Sequence, residues 1–153
     1  MARRRRIKGK KPRVAGKPAN HTEKAPRVDP GIDIDHRREH PVWQVGIIDV
    51  DGPFGWNTIT NAELQEVRTR LAAFESMTWH EIIGQDNHEV ETYKLSKAAK
   101  DRLLEIKQDD TEQLFSLRIS GPKRIWGILD RNALKVLWWD PEHKVYPVPK
   151  RNT

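Results

Sequence analysis

Residues 114–139 read LFSLRISGPKRIWGILDRNALKVLWW, and this stretch decides the fold. Apolar and polar side chains alternate over residues 114–119, which is the period of a strand with one buried face. Gly121 and Pro122 form a turn signal, and further strand-like runs follow at residues 124–129 and 134–139. Because the runs are joined by short connections, they predict a three-stranded antiparallel meander.

Helical patterns precede these strands. Thr60 and Glu63 have the spacing of a capping box, and the apolar residues that follow them recur at helical intervals. Thr78 and Glu81 repeat the box at the start of a short segment that ends at Gly84. The apolar residues between positions 95 and 106 also keep to one helical face. We therefore expect two helices of several turns and a short one between them.

The order of these elements predicts an α+β fold. A β-rich segment at residues 42–50 comes first, and residues 145–146 form a last short extended piece. We expect the N-terminal strand and the helices to pack on one face of the C-terminal antiparallel meander and to leave the other face open. Residues 41–153 are accordingly interpreted as a single domain.

Positive charge is concentrated at the N-terminus. Residues 1–28 contain eleven Lys and Arg and one acidic residue, a net charge of +10, whereas the other 125 residues have a net charge of −4. Residues 1–40 have few large apolar side chains, so we interpret them as a disordered basic tail and linker. Such a tail binds nucleic acid through its phosphates, although it could also serve only to keep the protein soluble.

Several classes of protein are excluded by composition. The chain has no cysteine, so disulfide scaffolds, thiolate-bound metals and thiol catalysis are not available. No apolar run approaches 18 residues, and no apolar stretch follows the basic start, so we expect a cytoplasmic protein without a membrane segment. His36 and His40 have a spacing that occurs in metal sites but lack the adjacent glutamate of zinc hydrolases, so we predict neither a metal nor another cofactor.

Basic residues return on the predicted strands. Residues 114–153 contain eight basic and three acidic side chains. Arg118 lies between Ser116 and Ser120 on the polar side of its strand, which suits an anionic ligand. Each of these basic side chains taken alone is more simply a solvated surface residue. Their concentration on consecutive strands favours a phosphate-binding surface.

Other side chains of this region are candidate RNA contacts. Trp138 and Trp139 are neighbours on a strand and so point to opposite faces. We expect one of them in the core and the other, taken as Trp139, on the open face as a stacking platform for a base. Lys123, Lys144 and Arg131 are predicted to contact flanking phosphates.

The stretch from residue 95 to residue 146 resembles the RelE/YoeB/HigB superfamily of bacterial toxin ribonucleases. The resemblance rests on a helix followed by a strand with Arg118, a strand opening on Arg124, and a late His143 and Tyr146. It implies a RelE-like fold, with helices followed by an antiparallel sheet. It also implies that these four residues form the catalytic set, that RNA or the ribosome is bound, and that an antitoxin protein is a partner.

The chemistry of metal-free RNA cleavage suits these residue types. Histidine titrates near neutrality, so His143 is the candidate general acid or base. Arg118 and Arg124 offer paired donors to the phosphate oxygens on which charge develops. Tyr146 could orient the phosphate or stack on a base.

We expect a metal-independent endoribonuclease that cleaves mRNA, either free or on the ribosome, as the toxin of a toxin–antitoxin system. One alternative is a non-catalytic RNA- or ribosome-binding protein that uses the basic tail and the sheet face. A second alternative is a protein-interaction domain on a RelE-like scaffold, because a fold does not by itself carry a function.

Overall fold

Three long antiparallel strands form the centre of a five-stranded mixed sheet in the computed structural model, which describes residues 34–84 and 86–147. The strands are β1 (Val42–Gln44), β2 (His88–Glu91), β3 (Gln113–Ser120), β4 (Lys123–Asp130) and β5 (Ala133–Asp140). Their spatial order is β1-β5-β4-β3-β2, with β1 parallel to β5 and every other pair antiparallel. The α+β class and the meander of β3, β4 and β5 are confirmed. Residues 1–33, which include most of the predicted tail, lie outside the described residues.

Two of the described helices begin directly after the predicted capping residues Thr60 and Thr78. The helices are α1 (Ile34–Arg37), α2 (Asn61–Glu75), α3 (Trp79–Ile82) and α4 (Lys97–Glu105), with 3-10 turns at Trp56–Thr58 and Thr92–Lys94. Both capping boxes are present, so the first free N–H groups of α2 and α3 are satisfied by Thr60 and Thr78 and the returning carboxylates of Glu63 and Glu81. Among the described residues, no helix is long and apolar enough to cross a membrane.

Both faces of the sheet are covered. One buried cluster lies between the sheet and helices α2 and α3, and we call this side the first face. A second cluster lies between the opposite side, the second face, and helix α4, which contributes Ala99 and Leu103. The prediction that the helices pack on one face only is therefore wrong. The physical reason is that Leu114, Trp126 and Trp138 form a second apolar surface, which also has to be removed from water.

The two edge strands differ most from the sequence prediction. Strand β1 is only three residues long, because the chain leaves the sheet after Gln44. Strand β2 carries no clear strand pattern in the sequence, since Val90 is its single buried residue. Residues 145–146 were expected to be extended and are not part of the sheet. Helix α1 lies inside the predicted linker, and the carbonyl of Glu39 accepts a hydrogen bond from the backbone N–H of Trp79 at 3.1 Å, so the folded part begins before residue 41.

A β-bulge explains why the last strand is buried on both sides. Trp126 pairs with Trp138 and Gly127 pairs with Val136, so Leu137 is an extra residue in β5. Leu137 and Trp138 therefore both face the second cluster. Gly127 is required at this point because a Cβ atom there would lie 2.4 Å from the carbonyl oxygen of Lys135.

Trp138 and Trp139 point to opposite faces, as the strand period predicts, but neither is exposed. Both have 0% of their surface accessible. Trp139 packs on the ring of Trp56 in the first cluster, with 5.7 Å between ring centroids. The expectation that Trp139 offers a stacking platform for RNA is therefore wrong, because helix α2 and its flanking loop cover the face on which it lies.

Candidate functional site

Two arginines lie side by side where the second cluster ends. On the second face the last buried residues of the central strands are Ser116 and Trp126, which are register partners on β3 and β4. Two residues further along each strand, at the next position on this face, Arg118 is the register partner of Arg124. Both side chains are only partly buried, and that of Arg118 is 38% exposed. The register therefore puts both arginines on the second face of the sheet.

The turn between the two strands holds both guanidinium groups. The carbonyl oxygen of Gly121 accepts a hydrogen bond from Arg118 Nε at 3.2 Å and one from Arg124 Nη1 at 2.6 Å. Arg118 Nη1 also lies 3.4 Å from a carboxylate oxygen of Asp86. No ion pair of Arg124 occurs in residues 34–84 and 86–147. Because the Gly121 carbonyl fixes one edge of each group, other N–H donors stay available for a ligand.

The positive charge of Arg118 acts on Arg124. Burial lowers the pKa of the Arg124 guanidinium, and the charge of Arg118 lowers it further, while Asp86 and Asp140 act in the opposite direction. Both groups nevertheless stay charged at neutral pH, since an arginine keeps its proton far above pH 7. Two adjacent like charges with little compensation attract an anion.

A buried carboxylate places His143 beside this pair. Asp140, the register partner of Arg124 on β5, is 1% exposed. Its carboxylate accepts hydrogen bonds from the backbone N–H groups of Lys144 at 2.8 Å and Val145 at 3.0 Å, and from Trp126 Nε1 at 3.0 Å. These bonds fold the chain back after β5, and His143 takes a left-handed conformation with φ of 60° in the resulting turn.

The surroundings of His143 favour its neutral form. Burial lowers the pKa of the His143 imidazole below 6.5, and the charges of Arg124 and His88 lower it further, while Asp140 raises it. His143 is therefore uncharged at neutral pH and can accept a proton. His143 follows Asp140, the register partner of Arg124, by three residues, so His143 lies at the same end of the sheet as Arg124.

His88 belongs to this cluster although the sequence did not indicate it. It lies on β2 opposite Ser116, on the same face as Val90, which is part of the second cluster. Its Nδ1 lies 3.2 Å from the carbonyl oxygen of Glu89; a carbonyl only accepts, so Nδ1 donates and Nε2 is left for another partner. The alternation of His88 and Val90 was the available signal, but a four-residue polar strand does not stand out in sequence.

Two predicted RNA contacts lie away from the arginine pair. Lys123 points to the first face, where its ammonium group lies 2.8 Å from a carboxylate oxygen of Glu66 on α2. Arg131 lies in the turn at the opposite end of β4, seven residues and roughly 23 Å along the strand from Arg124. Neither side chain is brought to the candidate site.

Tyr146 and Lys144 follow His143 but lead away from it. Tyr146 packs against the second cluster. Within the described ranges no hydrogen bond or ion pair joins Tyr146 to Arg124 or His143. Lys144 is exposed and paired with Glu142 at 2.8 Å. The structure therefore brings together three of the four predicted catalytic residues, and it adds His88.

A second buried ionic group was also missed by sequence reasoning. Asp49 accepts hydrogen bonds from Arg102 Nε at 2.9 Å, from Arg102 Nη2 at 2.8 Å and from Trp138 Nε1 at 2.8 Å. Arg102 lowers the pKa of the Asp49 carboxyl most strongly, and the Trp138 bond lowers it further. This group ties the loop after β1 to helix α4 and lies under the sheet residues of the second face. Its role is structural.

The described parts of the chain contain no group of three or more histidine and acidic side chains arranged to hold a metal ion. No family model, curated protein or solved structure matches this chain. The site is therefore defined by its own geometry, namely two arginines, two histidines and a buried aspartate at one end of the second face.

Proposed function

We propose that this protein is a metal-independent endoribonuclease that cleaves mRNA, as the toxin of a RelE-like toxin–antitoxin pair. The observation that carries the proposal is the cross-strand pair of Arg118 and Arg124 with His143 beside it. The substrate would be bound in the cytoplasm, on the ribosome or free, and an antitoxin protein would cover the site. No cofactor is needed for the chemistry described next.

A phosphodiester is the ligand class that suits the arginine pair best. Arg124 has no ion pair in the described part of the chain, and Arg118 has only the 3.4 Å contact with Asp86. Guanidinium groups bind phosphate oxygens through two parallel hydrogen bonds, and such bonds strengthen as charge develops on the oxygens. Two guanidinium groups on adjacent strands can contact both non-bridging oxygens of one phosphate.

His143 provides the chemistry that phosphate binding alone does not. Cleavage of RNA without a metal begins when the 2′-hydroxyl loses its proton, and a neutral imidazole accepts that proton efficiently near pH 7. Burial and Arg124 keep His143 in this neutral form. The left-handed turn that carries it is fixed by Asp140, the register partner of Arg124, so the backbone of His143 is held at the same end of the sheet as the arginines.

A second candidate function is RNA binding without cleavage. It is favoured by the net charge of +10 on residues 1–28, which is enough for affinity without a catalytic site. The position of Tyr146, away from the arginines, also favours it, since one of the four residues of the implied catalytic set is missing.

Cleavage assays with single substitutions distinguish the two functions. The full chain is incubated with end-labelled RNA, and separately with mRNA on translating ribosomes, in the presence of EDTA. We expect cleavage by the wild type, a loss of about 100- to 10,000-fold in His143→Ala, and a comparable loss in Arg124→Ala. Lys135→Ala is the matched control, because it removes an exposed cation of the same sheet that pairs with Asp130.

Each outcome has a separate meaning. Cleavage of ribosome-bound mRNA alone would make the enzyme ribosome-dependent. RNA binding without cleavage of either substrate would establish the second candidate function. Absence of both cleavage and RNA binding, in a protein whose expression does not slow growth, would refute the toxin proposal.

A further inference from the structure

His88 and His143 lie on opposite sides of the arginine pair. Across the second face, the strand order places β2 with His88 first, then β3 with Arg118, then β4 with Arg124, and finally the end of β5 that leads to His143. Arg118 is two residues from Ser116, the register partner of His88, so His88 is a diagonal neighbour of Arg118 at roughly 7–8 Å. A phosphate held by both arginines therefore has a histidine on each side.

The protonation geometry of His88 is also defined. Its Nδ1 is occupied by the Glu89 carbonyl, so Nε2 is the atom that can reach a ligand. The charged groups around it are Asp86 and Arg118, which form an ion pair, and Glu89 on its own strand. The groups around His143 are Arg124, Asp140 and His88, with Glu142 and Lys144 paired to each other in the adjoining turn.

We propose that His88 is the general acid of the reaction and that His143 is its general base. This assignment rests on the proposed ribonuclease function and adds a catalytic residue to it. His143 removes the proton of the 2′-hydroxyl, the 2′-oxygen forms a bond to phosphorus, and the bond from phosphorus to the 5′-oxygen breaks. His88 Nε2 donates its proton to that departing oxygen.

The products follow from this balance. One fragment ends in a 2′,3′-cyclic phosphate and the other begins with a 5′-hydroxyl group, with one proton gained by His143 and one lost by His88. The attacking and leaving oxygens of an in-line displacement lie on opposite sides of phosphorus. An acid and a base on opposite sides of the arginines match that requirement. RNA is then the substrate class, because DNA lacks the attacking hydroxyl.

A modified substrate separates an acid from a group that only binds or positions RNA. Sulfur replaces the bridging 5′-oxygen at the bond that the wild type cleaves, and a thiolate leaves without being protonated. We expect His88→Ala to lose about 100- to 10,000-fold in kcat on ordinary RNA and to stay within about tenfold of the wild type on the sulfur substrate. His143→Ala should be impaired on both substrates, because its role precedes departure of the leaving group.

His80→Ala is the matched control, since His80 is an exposed histidine on α3, which packs on the first face. Equal activity of His88→Ala and wild type on ordinary RNA would overturn the proposal and leave the ribonuclease function standing. Equal loss on both substrates would also overturn it, because His88 would then bind or position RNA. Failure of the wild type to cleave either substrate would remove the ribonuclease function itself.

A second measurement does not depend on activity. In an NMR titration of the full chain, His88→Ala should raise the pKa of His143, because it removes a neighbouring positive charge. His88→Gln should do the same while keeping a polar side chain at that place. An unchanged His143 titration in both variants would show that the histidines do not share a site, and would overturn the proposal whether or not the variants fold as stably as the wild type.

Discussion

Replacement of Arg102 by alanine should lower the free energy of unfolding by about 3 kcal/mol. The Asp49 side chain is 5% exposed, and two of its three hydrogen bonds come from the Arg102 guanidinium. Removing one partner of a buried ion pair costs about 3–5 kcal/mol, because the other charge is left buried and uncompensated. The lower end of this range applies because the Arg102 side chain is 19% exposed and because Asp49 keeps its hydrogen bond from Trp138 in the variant.

The same substitution should change how stability depends on pH. In the folded protein Arg102 holds the pKa of Asp49 below 3.8, its value in the unfolded chain. The ion pair therefore contributes its full stability above pH 3.8 and loses it as the pH falls through the folded value. Because Arg102→Ala lacks this contribution, the difference between it and the wild type should narrow as the solution is acidified below pH 3.8.

Urea unfolding followed by tryptophan fluorescence measures both effects. With a denaturant slope of about 2 kcal/mol per molar, a loss of about 3 kcal/mol lowers the urea midpoint at pH 7 by about 1.5 M. Lys97→Ala is the matched control on the same helix, because it breaks an exposed ion pair with Asp101 and should leave the midpoint unchanged. If the midpoint of Arg102→Ala coincided with that of Lys97→Ala, the buried pair would not stabilise the fold as argued.

Three further predictions concern the site and the sheet. The acid limb of the cleavage rate should have its midpoint below pH 6.5, because burial and the arginine charge lower the pKa of His143; a midpoint above 6.5 would contradict this assignment. Lys123→Ala should leave RNA affinity unchanged in a filter-binding titration, because its ammonium is paired with Glu66 on the first face, and a loss comparable to that of Arg124→Ala would refute that placement. Gly127→Ala should destabilise the protein by about 1–3 kcal/mol in urea unfolding, since its Cβ would meet the Lys135 carbonyl; a neutral result would mean that the bulge adjusts freely.

The parts of the fold that the sequence predicted correctly depend on local signals. The capping boxes at Thr60 and Thr78 are each defined by four consecutive residues, and both are formed. The meander is defined by alternation and by two short turns, so it too needs no information from distant residues. The pairing of Arg118 with Arg124 does not follow from the turn alone. Ser120 pairs with Lys123 at the turn, and a register shift between Ser120 and Arg118 is what brings Arg118 opposite Arg124.

The parts that were missed depend on contacts between distant segments. Helix α4 is tied to the second face by the hydrogen bonds of Arg102 to Asp49, which lies 53 residues away, and no local pattern contains that pairing. His88 belongs to the site only because β2 joins the far edge of the sheet. The four residues of β2 are mostly polar, so their sequence does not predict a strand. The burial of Trp139 depends in turn on the bulge at Leu137, which shifts the strand period and puts Trp139 on the first face, the face that α2 covers.

Asp140 shows why the site and the fold cannot be separated at this end of the sheet. Trp126 and Trp138 are register partners, and each donates its indole N–H to a buried aspartate, Asp140 in one case and Asp49 in the other. The charge of Asp49 is neutralised by Arg102, so the role of Asp49 is structural. Asp140 has no such ion pair within the described ranges. Its charge is met by backbone N–H groups that form the His143 turn and by the field of Arg124, so the carboxylate that completes the core also positions the groups that would act on a phosphate.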